Sequence, residues 1–571
     1  MRVLVAAAAM LPAFALGVVH YGVSVDVAKK AIEVTIRIDR PSETESFLIP
    51  GWTPGFYTME QFQKGISGVT SHASDGTKLA VSHPHDHEWT VEDPQRLPFT
   101  LSYAVAGSDV GLGFFGTYVE DPEAYINGPS AYMYDPARRS EPVTMSIRSP
   151  TSWDVATAMP RDADGTYSAD DYDQMADYSL QMGQLTRKEF KVDGVPFEAV
   201  FVAPPKHDVI MDIDNQTATL AKIAKPAIDL FHGAPFKKYI FFFHLTPEGF
   251  QGGLEHRSGT VIAIPNSPNQ DLSDLCAHEF FHAWNVKQIR PVLLGPFDYT
   301  KPQRTGNLWF AEGVTDYYSK VLTYRSGVHD AAWLLGEFSD QVNNYQSGST
   351  RLKSTVEDAS RASWDNGGFN LGDLDYYNKG LLSGFLLDAA IRSTTHGAKS
   401  LDDVMRYMYA KYRFPNPGYP EDGIMDAVNA VAGTDLSLLY KKLIRSTDEM
   451  PYDVASKIGF NVVAPNTLFH TALGWPVPFE HVSTNYLSAN GIEAGDEFIG
   501  MSPTNSDSTA TMVVSRNGEL KELFVQINSL RLPSYEVVVN PSPDEEQAKL
   551  LKQYLERPRP SHEPAQARLS R

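Results

Sequence analysis

The sequence predicts a multidomain α+β protein, on three observations. Residues 19–168 alternate apolar and polar side chains in short runs broken by Gly and Pro, as an all-β region does. Residues 169–450 open with apolar strand-like runs and turn mostly helical beyond about 320. Short strands return over 451–541, ahead of a charged tail at 542–571 that reads as disordered from Arg557.

The elements follow from local chemistry. Met1-Arg2, an apolar run over 3–11 and Ala13-Phe14-Ala15 read as a secretory signal within 1–18. An exported protein, periplasmic or secreted, with no membrane anchor after cleavage is the expectation. Residues 21–27 and 32–38 alternate strictly and predict two early strands. The Gly- and aromatic-rich stretches 50–57, 111–118 and 125–130 read as turns, and the last two could equally wall a cleft. Residues 197–202, 239–245 and 260–265 read as strands, with a helix over 214–232 between the first two.

Gly252-Gly253 stand just before Leu254-Glu255. Two bare glycines let another backbone approach closely, as a substrate laid along a sheet edge requires. A helix is predicted around 276–285, capped by Asp271 or Ser273 and stopped by Pro291. A second is predicted from Leu308, with Glu312 on its apolar face, and a third from Tyr376-Tyr377-Asn378-Lys379-Gly380 onward.

Composition limits the partners. With 49 basic against 70 acidic side chains, the net charge of −21 argues against a nucleic-acid partner and against docking on anionic lipid. The one cysteine, Cys276, allows no intrachain disulfide and reads as a small buried hydrophobe.

The chemistry gathers at His278-Glu279-Phe280-Phe281-His282. On a helix the two imidazoles lie one turn apart and can share a metal ion. Glu279 then stands where a carboxylate can deprotonate water activated by the metal. Catalytic zinc wants a third protein ligand. Glu312 supplies it, since a carboxylate on an apolar helix face is costly unless paired or metal-bound. Asp316, one turn on, either accepts from the second nitrogen of His278 or is a solvated helix carboxylate.

The His-Glu-x-x-His run followed by Trp309-Phe310-Ala311-Glu312-Gly313 resembles the gluzincin metallopeptidases. The run Trp284-Asn285-Val286-Lys287-Gln288-Ile289-Arg290-Pro291, with the domain order above, resembles the glycyl aminopeptidase family of PDZ-containing gluzincins. The resemblance implies an N-terminal β-sandwich-like domain (19–168), a thermolysin-like Zn²⁺ peptidase domain (169–450) and a C-terminal PDZ-like domain (451–541). Gly-Gly-Leu-Glu resembles the clan segment whose Glu holds the substrate's free α-amine, so Glu255 is the expected anchor and peptides with a free N-terminus the expected substrates. Tyr-x-Lys-Gly resembles the segment whose Tyr stabilises the oxyanion, which falls on Tyr377. A preference for Gly or Ala first residues is likewise implied. Residues 488–499 resemble a PDZ helix-and-strand pattern, with Leu473-Gly474-Trp475-Pro476 as the nearest match to a carboxylate-binding loop. Two rival readings stay open, an endopeptidase of the same clan and a non-enzymatic peptide-binding protein.

Overall fold

The computed structural model describes residues 17–108, 115–204, 206–246, 251–268, 270–368, 370–463, 491–493, 496–503, 509–526 and 535–557. The signal over 1–16, part of the Gly-rich loop (111–114), the loop 473–476, the helix start at 488–490 and the tail beyond 557 lie outside the described residues.

The N-terminal region carries a nine-stranded sheet and a four-stranded one. Val19–Asp26 and Ala31–Ile38 pair antiparallel near the middle of the larger sheet. In Ala31–Ile38 the residues Ile32, Val34, Ile36 and Ile38 are buried while Thr35 and Arg37 face water, the alternation that the sequence displays. The expected break at 168 falls inside this region. Leu180–Gly183 pairs with Glu123–Ile126 in the smaller sheet, so β structure of the first unit runs on to Gly183. That pairing is long-range and leaves no mark in local composition.

A five-stranded sheet follows, in the order Thr186–Val192, Val195–Val202, Tyr239–Thr246, Gly259–Pro265, Gly252–His256. The middle three run parallel, and Gly252–His256 is an antiparallel edge strand. Every residue of Tyr239–Thr246 is buried, so both faces of this sheet are covered. On one face Phe280 packs its ring on Phe197, Tyr239 and Phe241. On the other, Val200, Ile240, Phe242 and Val261 share a core with Tyr118 and Tyr125 of the smaller N-terminal sheet. The β region and the catalytic sheet are therefore joined by a common core.

The helical half centres on Tyr376–Thr394, which is buried along nearly its whole length. The charged tail contains the helix Glu545–Tyr554, with Leu550 and Tyr554 buried. The Tyr554 hydroxyl lies 3.2 Å from that of Tyr317, and its ring lies under the Arg392 guanidinium. This part of the tail is thus a packed piece of the helical half. Among the described residues, Glu497–Pro503, Thr509–Arg516 and Glu519–Gln526 form a three-stranded antiparallel sheet of their own. No helix among the described residues is long and apolar enough to cross a membrane.

Candidate active site

The α-helix Ser273–Phe281 is shorter than expected and ends ten residues before Pro291. Its N-terminus is held by Asp271, whose carboxylate accepts from the Ser273 amide at 3.0 Å. At its C-terminus the chain turns so that the Asn285 carbonyl accepts from His282 Nδ1 at 2.7 Å. The Asn285 side chain donates to the Phe310 carbonyl at 2.8 Å and the Thr315 hydroxyl at 3.1 Å. The helix stops because the carbonyl of residue 285 is needed by the imidazole, and that leaves His282 Nε2 free to face the cleft.

The second helix also departs from a plain α-helix. Trp309–Val314 forms a π-turn, followed by α-helix Thr315–Arg325. Glu312 sits in the wide turn, a feature that clusters at functional sites. Here the chain crosses Tyr376–Thr394 closely. A Cβ on Gly313 would stand 2.5 Å from the Gly380 Cα and 2.6 Å from the Tyr376 carbonyl. The glycine of Tyr-x-Lys-Gly thus serves helix contact.

His278, His282 and Glu312 converge, with ligand atoms all within 4.8 Å of one another. The two Nε2 atoms are 3.0 Å apart, and Glu312 Oε2 lies 3.2 Å from His282 Nε2 and 3.7 Å from His278 Nε2. All three are buried. Each outer face has a partner. His278 Nδ1 is 3.5 Å from Asp316 Oδ1, and Asp316 in turn faces Lys320 at 3.8 Å. Glu312 Oε1 accepts from the Tyr57 hydroxyl at 2.8 Å.

Electrostatics reinforce the geometry. Burial alone would lower the His278 imidazole pKa, but Asp316 and Glu312 outweigh it and hold it well above the ordinary value. Burial works against ionisation of Glu312, yet His282 and His278 hold its carboxyl far below the usual range. The pocket therefore demands positive charge between these side chains. Two nitrogens and one oxygen facing each other, with their outer atoms tied back, fit a four-coordinate zinc ion with one position left open.

Glu279 is buried and points towards the same space. Burial pushes its carboxyl up to about 7 against the pull of His278 and His282. Its Oε2 accepts from the Thr260 hydroxyl at 3.4 Å. Gly253 makes room for it, because any Cβ there would collide with the Glu279 carboxyl. The glycine pair thus admits a side chain of the protein itself, while Gly252 begins the edge strand beside it.

Glu255 is buried, and its carboxylate, that of Glu279 and His282 form a second group with ligand atoms within 4.8 Å. Its Oε1 lies 3.6 Å from Lys287 Nζ and accepts no hydrogen bond. The two tyrosines are told apart. Tyr376 is fully buried and donates to the Gly368 carbonyl at 2.6 Å. Tyr377 is half-buried, with its ring centroid 5.9 Å from that of His278.

Three contributors escaped the sequence reading. Tyr57 and Gly55 arrive on a loop of the β region. Gly55 has φ +107°, and a Cβ on it would lie 2.5 Å from Glu255 Oε2. Asp177 pairs with Lys287 at 3.2 Å behind Glu255. Burial disfavours the Asp177 charge, but Lys287 and His256 hold its carboxyl well below the usual range. A turn-rich Pro-Gly stretch was the only signal near Tyr57, and it reads as punctuation.

A buried His-His-Glu set at the mouth of a sheet-and-helix domain, closed by a β domain, defines a zinc metallopeptidase. Two family models match, the M61 N-terminal domain over residues 20–184 and the M61 glycyl aminopeptidase domain over 271–383. The chain carries both domains of the M61 glycyl aminopeptidases and is a metallo-aminopeptidase with zinc as its cofactor. Among solved structures, an aminopeptidase N family protein from Idiomarina loihiensis shares the fold. It has a TM-score of 0.77 and 24% identity, with 94% of this chain and 100% of that one covered. An M1 zinc metallopeptidase from Deinococcus radiodurans matches at a TM-score of 0.48 and 15% identity, over 76% of this chain and 95% of that one. No curated protein matches the chain.

Proposed function

We propose that the enzyme removes the first residue of peptides with a free N-terminus, preferring Gly or Ala there. The observation that carries this reading is Glu255, a buried carboxylate with an unpaired oxygen beside the His-His-Glu set. An ammonium group, present only at a true N-terminus, satisfies that oxygen and fixes the first peptide bond near Glu279.

His278, His282 and Glu312 are the residues to hold zinc, with Asp316 fixing the His278 ring. When bound, zinc supplies Lewis acidity towards a carbonyl and acidifies water. Glu279 takes a proton from the attacking water and passes it to the leaving amine. Tyr377, with its hydroxyl free of the tie that holds Tyr376, donates to the developing oxyanion. The close approach of Gly55 to the side chains of Leu254 and Glu255, where any Cβ would collide, supports a small first residue. Gly252 opens the edge strand along which the peptide backbone lies, and Gly253 leaves room for Glu279 beside it.

Export by the N-terminal signal, a first unit that runs on to Gly183, and a PDZ-like third domain over 451–541 belong to the same reading. The three-stranded sheet of Glu497–Pro503, Thr509–Arg516 and Glu519–Gln526 supports the last. The test compares Gly- and Ala-p-nitroanilides with their N-acetylated forms, before and after chelation. Cleavage of the free amines alone, lost with the metal, is expected. Equal cleavage of blocked and free forms makes the enzyme an endopeptidase and removes Glu255 as anchor.

A further inference from the structure

The run that follows the second metal-site histidine carries two cations, Lys287 and Arg290, that hydrolysis leaves unused. Both side chains are buried, with Arg290 only 7% exposed. The Arg290 guanidinium lies 5.5 Å from the Phe297 ring centroid and 5.7 Å from that of Phe414. It makes no hydrogen bond to any described residue, and its Nε is buried without a partner. Burial and the neighbouring Arg257 pull its pKa down to about 10. Its place is built, since any side chain at Gly295 would collide with the guanidinium. A buried arginine without an acceptor is rare enough to need a reason.

Arg290 lines a cavity of about 20 Å³, together with Lys287, Arg257, Asp177 and Glu255. Asp173, also on its wall, is taken by Arg139 at 2.8 Å. Three cations, Arg257, Lys287 and Arg290, then face two carboxylates, Asp177 and Glu255. One positive charge is left uncompensated. Arg257 lies over the Phe414 ring at 4.4 Å, and among the described residues its side chain has no carboxylate partner. The space suits one water-sized occupant and is too small for a carboxylate-bearing side chain.

We infer that this cavity is a site for one small inorganic monoanion of the chloride class, held by Arg290 and Lys287. Its consequence for turnover rests on the reading of Glu255 as amine anchor. Lys287 is shared between Asp177 at 3.2 Å and Glu255 at 3.6 Å. An anion in the cavity draws the Lys287 charge towards itself and frees the Glu255 carboxylate for the substrate ammonium. Anion and substrate therefore bind with positive coupling, and the effect falls on KM.

Two measurements on the zinc-loaded enzyme test this. Bromide-soaked crystals should give an anomalous peak within hydrogen-bond reach of the Arg290 guanidinium, absent in Arg290→Gln. At fixed ionic strength, replacing gluconate by chloride should lower KM for Gly-p-nitroanilide at least about fivefold with kcat unchanged. Arg290→Gln should abolish that dependence. A wild-type cavity without a bromide peak overturns the site, even if the variant fails to fold. A peak with a flat KM keeps the site and overturns its link to Glu255. If N-acetylated substrates are cleaved equally well, the anchor reading fails on its own while the peak stands.

Discussion

The two ends of the cleft are built in different ways. At the metal end, the three donors come from two helices only thirty residues apart along the chain, and their spacing is set by helical turns. At the proposed amine end, Glu255 lies beside Gly55 from the β region and Lys287 from beyond the metal-site helix, and Lys287 is shared with Asp177. The metal end is coded by local periodicity, whereas the amine end exists only once the β region has packed on the second face of the catalytic sheet. The β region reaches the metal end as well, through the hydrogen bond from Tyr57 to Glu312.

If this division is right, substitutions at the metal end act on kcat and those at the amine end on KM. Glu279→Gln should give the largest effect, a loss of roughly 10²–10⁴ in kcat with bound zinc unchanged by metal analysis. Full turnover would remove Glu279 from the proton transfers. Next, Tyr377→Phe should lower kcat by roughly 10²-fold. Tyr376→Phe should leave kcat alone and lower stability by about 1 kcal/mol in denaturant titration, since its hydroxyl serves only the Gly368 carbonyl. Equal losses in kcat from the two would erase the distinction between them.

At the other end, Glu255→Gln should raise KM for free-amine substrates by roughly 10- to 100-fold and leave kcat nearly unchanged, as loss of a charge-assisted hydrogen bond predicts. A pure kcat effect would move Glu255 to the metal end. The smallest effect is expected from Tyr57→Phe, about 1 kcal/mol in zinc affinity by competition with a chelator. Its hydroxyl orients Glu312 but touches no reacting atom. No change in affinity would mean that the β region leaves the metal end untouched.

The sequence also misled in instructive places. Pro291 seemed the stop for the metal-site helix, but the helix ends at Phe281 because a backbone carbonyl must turn to His282. Such a demand comes from a side chain in three dimensions, and no breaker residue announces it. Gly253 looked like room for a substrate, yet the structure fills that space with Glu279. The helix Glu545–Tyr554 was legible in the charged tail, whereas the burial of Leu550 and Tyr554 in the helical half was not. Resemblance had already pointed to Tyr377 in the pair at 376–377, and burial separates the two side chains.

Sequence alone marked the His-His-Glu set, the neighbouring Glu279 and the alternation of the strands, because helix and strand repeats place side chains at fixed offsets whatever surrounds them. Tertiary structure decided which glycine serves which neighbour, which tyrosine is free, and that a loop of the β region reaches both Glu255 and Glu312. Those outcomes depend on how buried surfaces meet across more than two hundred residues, and no local period records such a meeting.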